Sequence, residues 1–372
     1  MRSLIFHMTW STVERQMKFP ITLVLLTLLA APAPTALAQR SPNAIALRPL
    51  TSGVDASFRG MAMHGAREAW LGGTGGTVIR TTDAGQTWQQ ITVPDTSATD
   101  SEKPDFRDIE ILPDGTVLLM SIGAGSASKI FRSEDNGQTW QTVLVNSDPQ
   151  GFFDGMAFLA DGQTGWLFGD PLEGHLDLYR TNNAGKTWHH LPLSQRPKLA
   201  EGEYAFAASG TSIVARGQSI WIATGGSVAR VWKSTDEGKT WQAFSTPIRS
   251  GNESSGIFSI DLIDDDRAVV IGGNYLEPEQ SENNVATSTD GGKTWHNATG
   301  VSMPHKACVQ SLGEGRLITC GRTGVAYSED AGKTWGNLST GSYYTLRVDK
   351  KTGTGFLAGK DGQVATFELL ND

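Results

Sequence analysis

Thr81-Thr82-Asp83-Ala84-Gly85-Gln86-Thr87-Trp88 decides how this chain is read, because nearly the same eight residues return five more times. The later copies end at Trp140, Trp188, Trp241, Trp295 and Trp335, so successive tryptophans stand 52, 48, 53, 54 and 40 positions apart. Five copies carry aspartate at the third place (Asp83, Asp135, Asp236, Asp290, Asp330) and one carries Asn183. Asp-x-Gly is turn chemistry: the carboxylate accepts backbone N–H groups and the glycine takes a positive φ. These six side chains are therefore read as structural. The threonine before each tryptophan suits a strand, and the tryptophan is large enough to fill a seam between neighbouring units. A period of roughly 40 to 50 residues, with strand-like runs between glycine-rich turns, is the signature of a β-propeller with one blade per repeat.

The repeats also count the blades. In the first, 58–63 reads as the inner strand, 69–72 as the second, 77–82 as the third and 88–93 as the outer strand. Later inner strands are expected near 106–112, 153–159, 205–210, 256–263 and 307–312. After the sixth turn the chain offers three strands, at 344–348, 355–358 and 363–369, and the apolar stretch 44–50 has no partner of its own. Pairing that stretch with the last strand completes a seventh blade from both ends of the chain and leaves no free sheet edge. The fold expected is all-β: seven four-stranded blades, with residues 39–372 forming a single propeller domain at roughly 48 residues per blade.

Residues 1–38 are expected to lie outside that domain. A positive start at Met17-Lys18, an apolar run over 21–31 and the small-x-small step Ala36-Leu37-Ala38 read as a secretory signal cleaved after Ala38, with Met17 as the natural start. The apolar run is short for a bilayer span, so no lasting membrane insertion is expected after cleavage, and the location expected is periplasmic or secreted. Without Arg2, Arg15, Lys18 and Glu14 the remaining 334 residues keep 28 basic and 38 acidic side chains, a formal charge of −10. Such an acidic surface without a basic block argues against nucleic acid as a partner.

The pattern S/T-x-D-x-G-x-T-W resembles the Asp-box, or BNR, repeat of sialidase-like propellers within the wider WD40/YVTN-like class. Together with Phe58-Arg59-Gly60, Asp105-Phe106-Arg107-Asp108 and Gly169-Asp170-Pro171, it is similar to an exported bacterial branch related to the photosystem II stability and assembly factor family. The resemblance implies that each box sits at the turn from third to fourth strand, away from the ligand-binding face.

Function is then sought on the opposite face, in the loops from strand two to three and from strand four to the next inner strand. Those segments, the inner-strand starts and the crossings contain Arg59, Arg107, Asp108, Asp154, Asp170, Glu203, Arg230, Asn274, Tyr275 and Arg322. Several arginines converging on a channel can grip a carboxylate or phosphate bidentately. Alternatively, each arginine pairs with an acid such as Asp108 or Asp154 and holds adjacent blades in register. The function expected is a non-catalytic binding or assembly module for a protein partner or a small anionic or carbohydrate ligand. The alternative is a glycoside hydrolase, with a carboxylate pair drawn from Asp154, Asp170 and Glu203, or a nucleophile from Tyr204, Tyr275 and Tyr343. The arginine-isoleucine-proline signature of sialidases is absent, with Phe58-Arg59-Gly60 in its place.

No cofactor or metal is expected. The glycine runs lie in hairpins rather than at helix starts, no G-x-S-x-G elbow occurs, and none of the boxes has calcium-loop spacing. His175 beside Asp170, Glu173 and Asp177 is read as a solvated loop, and His189-His190 as surface residues. Cys308 and Cys320 flank the hairpin turn at Gly313-Glu314-Gly315 and fall opposite each other, as a disulfide or as two buried thiols.

Overall fold

The computed structural model describes residues 45–94 and 103–370. The leader at 1–38, residue 44 of the apolar stretch and most of the crossing at 94–105 lie outside those residues. Seven antiparallel blades of four strands follow one another, as the repeats predict, and the short strands Glu203–Tyr204 and Gly225–Gly226 extend the sheet of blade 5. Blades 1 to 3 begin with the inner strands Phe58–His64, Asp105–Ile111 and Phe153–Phe158. Blades 4 to 7 begin with Ile213–Arg216, Ser255–Leu262, Cys308–Gly313 and Tyr343–Asp349. Ile45–Thr51 pairs antiparallel with Gln363–Leu369 over seven residue pairs and becomes the outer strand of blade 7, so the ring closes as expected.

Each box forms a turn of one design. In the first, Asp83 Oδ1 accepts the Thr87 N–H at 2.9 Å, Oδ2 accepts the Thr87 hydroxyl at 2.6 Å, and the Thr81 hydroxyl accepts the Gly85 N–H at 2.9 Å. Two consecutive residues are left-handed, Ala84 at φ 62° and Gly85 at φ 83°. Gly85 faces a second demand: a Cβ there would stand 2.4 Å from Leu50 Cδ1 of the preceding blade. In the third box Asn183 Oδ1 takes the Thr187 N–H at 3.0 Å, while its amide donates to the Thr187 hydroxyl at 2.9 Å. The amide reverses one hydrogen bond and keeps the turn.

The blades meet through apolar seams, each a cluster drawn from neighbouring sheets. Trp70, Phe106, Ile109, Leu119 and Phe131 join blades 1 and 2, with Trp140 edge-on to Trp70. Trp88 sits edge-on to Phe356 between blades 1 and 7. A polar latch reinforces four seams: a cation just before one box reaches the next blade's box. Arg80 donates to Asn136, Arg132 to the Ala184 carbonyl at 2.8 Å, Arg180 to Glu237 at 2.7 Å, and Lys233 to the Gly291 carbonyl at 2.8 Å.

One element departs from the sequence reading. Residues 205–210 are not the inner strand of blade 4, which begins at Ile213. They are an irregular segment whose polar groups are spent on other blades. Arg59 of blade 1 donates to the Ala208 carbonyl at 3.2 Å and Arg107 of blade 2 to the Ala207 carbonyl at 3.0 Å. The Ser209 hydroxyl donates to the Ala307 carbonyl at 2.8 Å beside blade 6, and the Ser209 carbonyl accepts Thr345 and Arg347 of blade 7. Only a segment across the ring axis reaches so many inner strands, so residues 205–211 close the channel as a plug. Gly210, at φ 67°, is required there because a Cβ would fall 2.0 Å from Asp108 Oδ1.

The box carboxylates set a pH signature. Hydrogen bonds from the Thr240 N–H and hydroxyl, then from Ser234, hold Asp236 at about 2, below its ordinary 3.8. A depressed carboxyl stabilises the fold above its unfolded pKa, and that contribution is lost as pH falls through the folded value. Asp236→Ala should therefore lower the melting temperature at neutral pH, with the deficit shrinking between about pH 4 and pH 2. Thermal unfolding across that range checks it; a deficit that ignores pH would remove the carboxylate's role.

Candidate functional site

On the face reached by the inner-strand starts, the plug forms the floor of a cavity of about 340 Å³. Six of the ten residues singled out in the sequence line it: Arg59, Arg107, Asp154, Asp170, Tyr275 and Arg322. They arrive from five blades because each sits near an inner-strand start or near the end of a second strand, the positions a propeller turns toward its axis.

The charges are segregated around the rim. Arg59 lies over the Tyr344 ring, 4.1 Å from its centroid, and has no ion pair among the described residues. Burial, then the neighbouring Arg107, lowers its pKa to about 10, so it stays charged at neutral pH. Arg107 holds Asp105 at 2.7 Å, and exposed Arg322 donates to the Tyr275 carbonyl at 3.2 Å. Blades 6, 1 and 2 thus supply three guanidiniums. Blade 3 supplies the opposite sign: Asp154 is buried, Asp170 is partly exposed, and the N–H groups of Ala207 and Ala205 on the plug bond them. Burial raises both carboxyls, Asp170 to about 6, and for Asp154 the neighbouring Asp170 adds to the effect.

The remaining wall is aromatic. Phe206 of the plug stacks on Phe258 of blade 5 at 4.1 Å, and Tyr275 sits edge-on to both. His305 meets Phe258 edge-on at 4.5 Å. Burial, with Arg322 and Arg59 nearby, drops the His305 pKa to about 3, so the ring is neutral. Phe206, Phe258, His305 and Tyr344 were not singled out from sequence. The run Ala205-Phe206-Ala207-Ala208 at the plug carries no motif, and aromatic residues on inner strands read as core.

The other candidates sit elsewhere. The expected pairing of the cavity arginines with Asp108 or Asp154 does not form: Asp108 accepts the N–H groups of Ile109 and Met156 below the cavity and faces Arg347 at 3.8 Å. Glu203 and Arg230 form an ion pair outside the cavity, where Glu203 also accepts Thr224, Trp232 and the Ala200 N–H. Burial pushes the Glu203 carboxyl up, but these donors outweigh it and hold it below its ordinary value. So committed a carboxylate is no member of a hydrolytic pair. Asn274 is buried and bonds Glu277 and the Leu276 N–H. Tyr343 is buried in blade 7 and Tyr204 pairs in a short strand extension.

His189 and His190 are exposed, as expected; His190 also stacks on Tyr179 and bonds buried Asp177 at 2.7 Å, and His175 contacts the Glu173 carbonyl. Cys308 and Cys320 stand opposite each other in register, as expected, and are buried free thiols rather than a disulfide. Among the described residues no group of three or more His, Cys, Asp and Glu is placed to hold a metal ion.

The model for the BNR/Asp-box repeat matches residues 286–297, the fifth box and its flanks. Curated relatives are xyloglucanases. That of Acetivibrio thermocellus, Xgh74A, is 21% identical over 60% of this chain and 28% of its own length. That of Hypocrea jecorina is 25% identical over 59% of this chain and 28% of its own length. The chain thus spans little more than a quarter of those relatives. Among solved structures, YCF48 from Cyanidioschyzon merolae superposes with TM-score 0.63 at 16% identity, over 87% of this chain and 99% of that one. A YCF48 bound to a D1 peptide gives 0.61 at 16% identity, over 89% and 98%. The Pan2 WD40 domain of Neurospora crassa gives 0.56 at 12% identity, over 85% and 90%. These likenesses agree with the propeller fold.

Arg230→Ala would strand Glu203 as a buried, uncompensated charge. We expect it to lower stability by about 2 to 3 kcal/mol in denaturant unfolding, without altering any ligand bound in the cavity.

Proposed function

We propose that this Asp-box propeller is an exported binding or assembly module that captures a carboxylate-bearing segment of a protein partner in the cavity at its channel mouth. The observation that carries the reading is the convergence of Arg59, Arg107 and Arg322 on one aromatic-walled cavity, two of them free of any ion pair among the described residues. A guanidinium with unspent N–H groups binds a carboxylate by charge-assisted hydrogen bonds, and partial burial strengthens them. Tyr275, 39% exposed, and Leu276, 70% exposed, add an apolar shoulder beside Arg322 on which a side chain of the segment can rest. The likeness to a propeller solved with a bound peptide supports the same class of ligand. Export to the periplasm or the medium is supported by the leader-like residues 17–38.

A second reading, a glycoside hydrolase, draws on the distant xyloglucanase relatives and on Asp154 and Asp170 sharing the cavity with raised carboxyls. Both carboxyls also accept a backbone N–H of the plug, which favours a fixed, non-catalytic role.

N-acetylated peptides ending in a free carboxylate should raise the melting temperature, and their C-terminal amides should not. Arg322→Ala should weaken such binding by about tenfold, near 1.4 kcal/mol, with little change in melting temperature, since Arg322 makes one hydrogen bond at the surface. Equal binding of acid and amide forms would overturn the reading. Turnover of xyloglucan abolished by Asp170→Asn would establish the second.

A further inference from the structure

The acidic wall is not explained by capture of a carboxylate, which it would repel. Asp154 is 1% exposed and lines the cavity, yet its Oδ2 has no hydrogen-bond partner; Asp170 Oδ1 beside it is likewise unpartnered. His305 is 3% exposed, and both of its ring nitrogens are unpartnered. Buried polar atoms left unpaired in this way cost stability, so several lining one cavity point to a ligand that supplies their partners. The sign and position of the groups describe that ligand. Guanidiniums stand on blades 6, 1 and 2, carboxyls on blade 3, and an aromatic face on the plug and blade 5 lies between them around the ring.

We infer that the cavity takes a ligand carrying both a carboxylate and an ammonium group, the carboxylate on Arg59, Arg107 and Arg322 and the ammonium on Asp154 and Asp170. Its apolar body lies against Phe206, Phe258 and Tyr275. The inference rests on the carboxylate-binding reading above and adds the second charge. Burial and mutual repulsion work against ionising Asp154 and Asp170 together, and a cation between them offsets both effects. The neutral His305 ring can accept or donate one further hydrogen bond without adding charge to the cationic side. The ammonium can be the α-amino group of a short peptide or the ε-amino group of a lysine next to a carboxyl terminus; both present the same chemistry.

Four probes separate the possibilities by calorimetric titration of the protein: leucyl-phenylalanine, its N-acetyl form, N-acetyl-lysyl-phenylalanine, and leucyl-phenylalanine amide. The free dipeptide, the lysyl peptide or both should bind about tenfold tighter than the N-acetyl-leucyl form, and which of them does identifies the source of the ammonium. The amide should bind weakest. In Asp154→Asn/Asp170→Asn, which keeps an acceptor for the Ala207 and Ala205 N–H groups, the preference for an ammonium should vanish while the N-acetyl acid still binds. Should the double variant melt early, Asp170→Asn alone should cut the preference. If all three acids bind the wild type equally, the carboxyls serve only to hold the plug and the inference fails, while carboxylate capture stands. If acid and amide forms do not differ, carboxylate capture fails as well.

Discussion

The pairing of Ile45–Thr51 with Gln363–Leu369 is the constraint on which the rest of the structure depends. A propeller blade is a twisted sheet whose apolar faces are covered only by its two neighbours, so an open ring would expose two of them together. Closing the ring through hydrogen bonds between distant parts of the chain turns seven separate sheets into one cooperative object. The inner-strand starts then hold a fixed distance from the axis. Arg59, Arg107, Asp154 and Arg322 come from four blades of that ring, and closure at this seam holds them around one cavity.

The box turns have a second duty besides reversing the chain. Their glycines let each turn press onto the previous blade: a Cβ on Gly137 would stand 2.8 Å from Trp70, and one on Gly292 would stand 2.0 Å from Trp221. Their peptide groups receive the latching cations Arg132 and Lys233 from that blade. The same eight residues therefore fix both the turn and the spacing between blades. They lie away from the cavity, so the chemistry of the site can change without disturbing them.

Much of the fold was legible in the sequence because propeller folding is repetitive. Six near-identical turns count the blades, and an unpartnered apolar stretch at one end plus three strands at the other imply closure. The boundaries at blade 4 were not legible. Residues 205–210 sit where a periodic reading places a strand, and no local propensity says that Ala207, Ala208 and Ser209 will satisfy their carbonyls from Arg59, Arg107 and Arg347 instead. That choice is tertiary, set by arginines far away in sequence. Position in the repeat marked six cavity residues, since inner-strand starts, the loops after second strands and the crossings gather on one face around the axis. Glu203 and Arg230 were marked on the same ground and turned out to satisfy each other, a distinction that only geometry draws.

The plug ties these observations together. A ring with an open axis would present Arg59 and Arg107 to water along a channel, where their attraction for an anion is weak. With residues 205–211 across the axis, each arginine spends one N–H on a plug carbonyl, Arg107 gives two more to Asp105, and both guanidiniums line a blind cavity with aromatic walls. The same strip of backbone turns its N–H groups to Asp154 and Asp170 and its carbonyls to the arginines, so the peptide dipoles of the plug separate the two signs of charge. The polarity of the cavity is thus written by the backbone of its floor, and the side chains of six other blades are read against it.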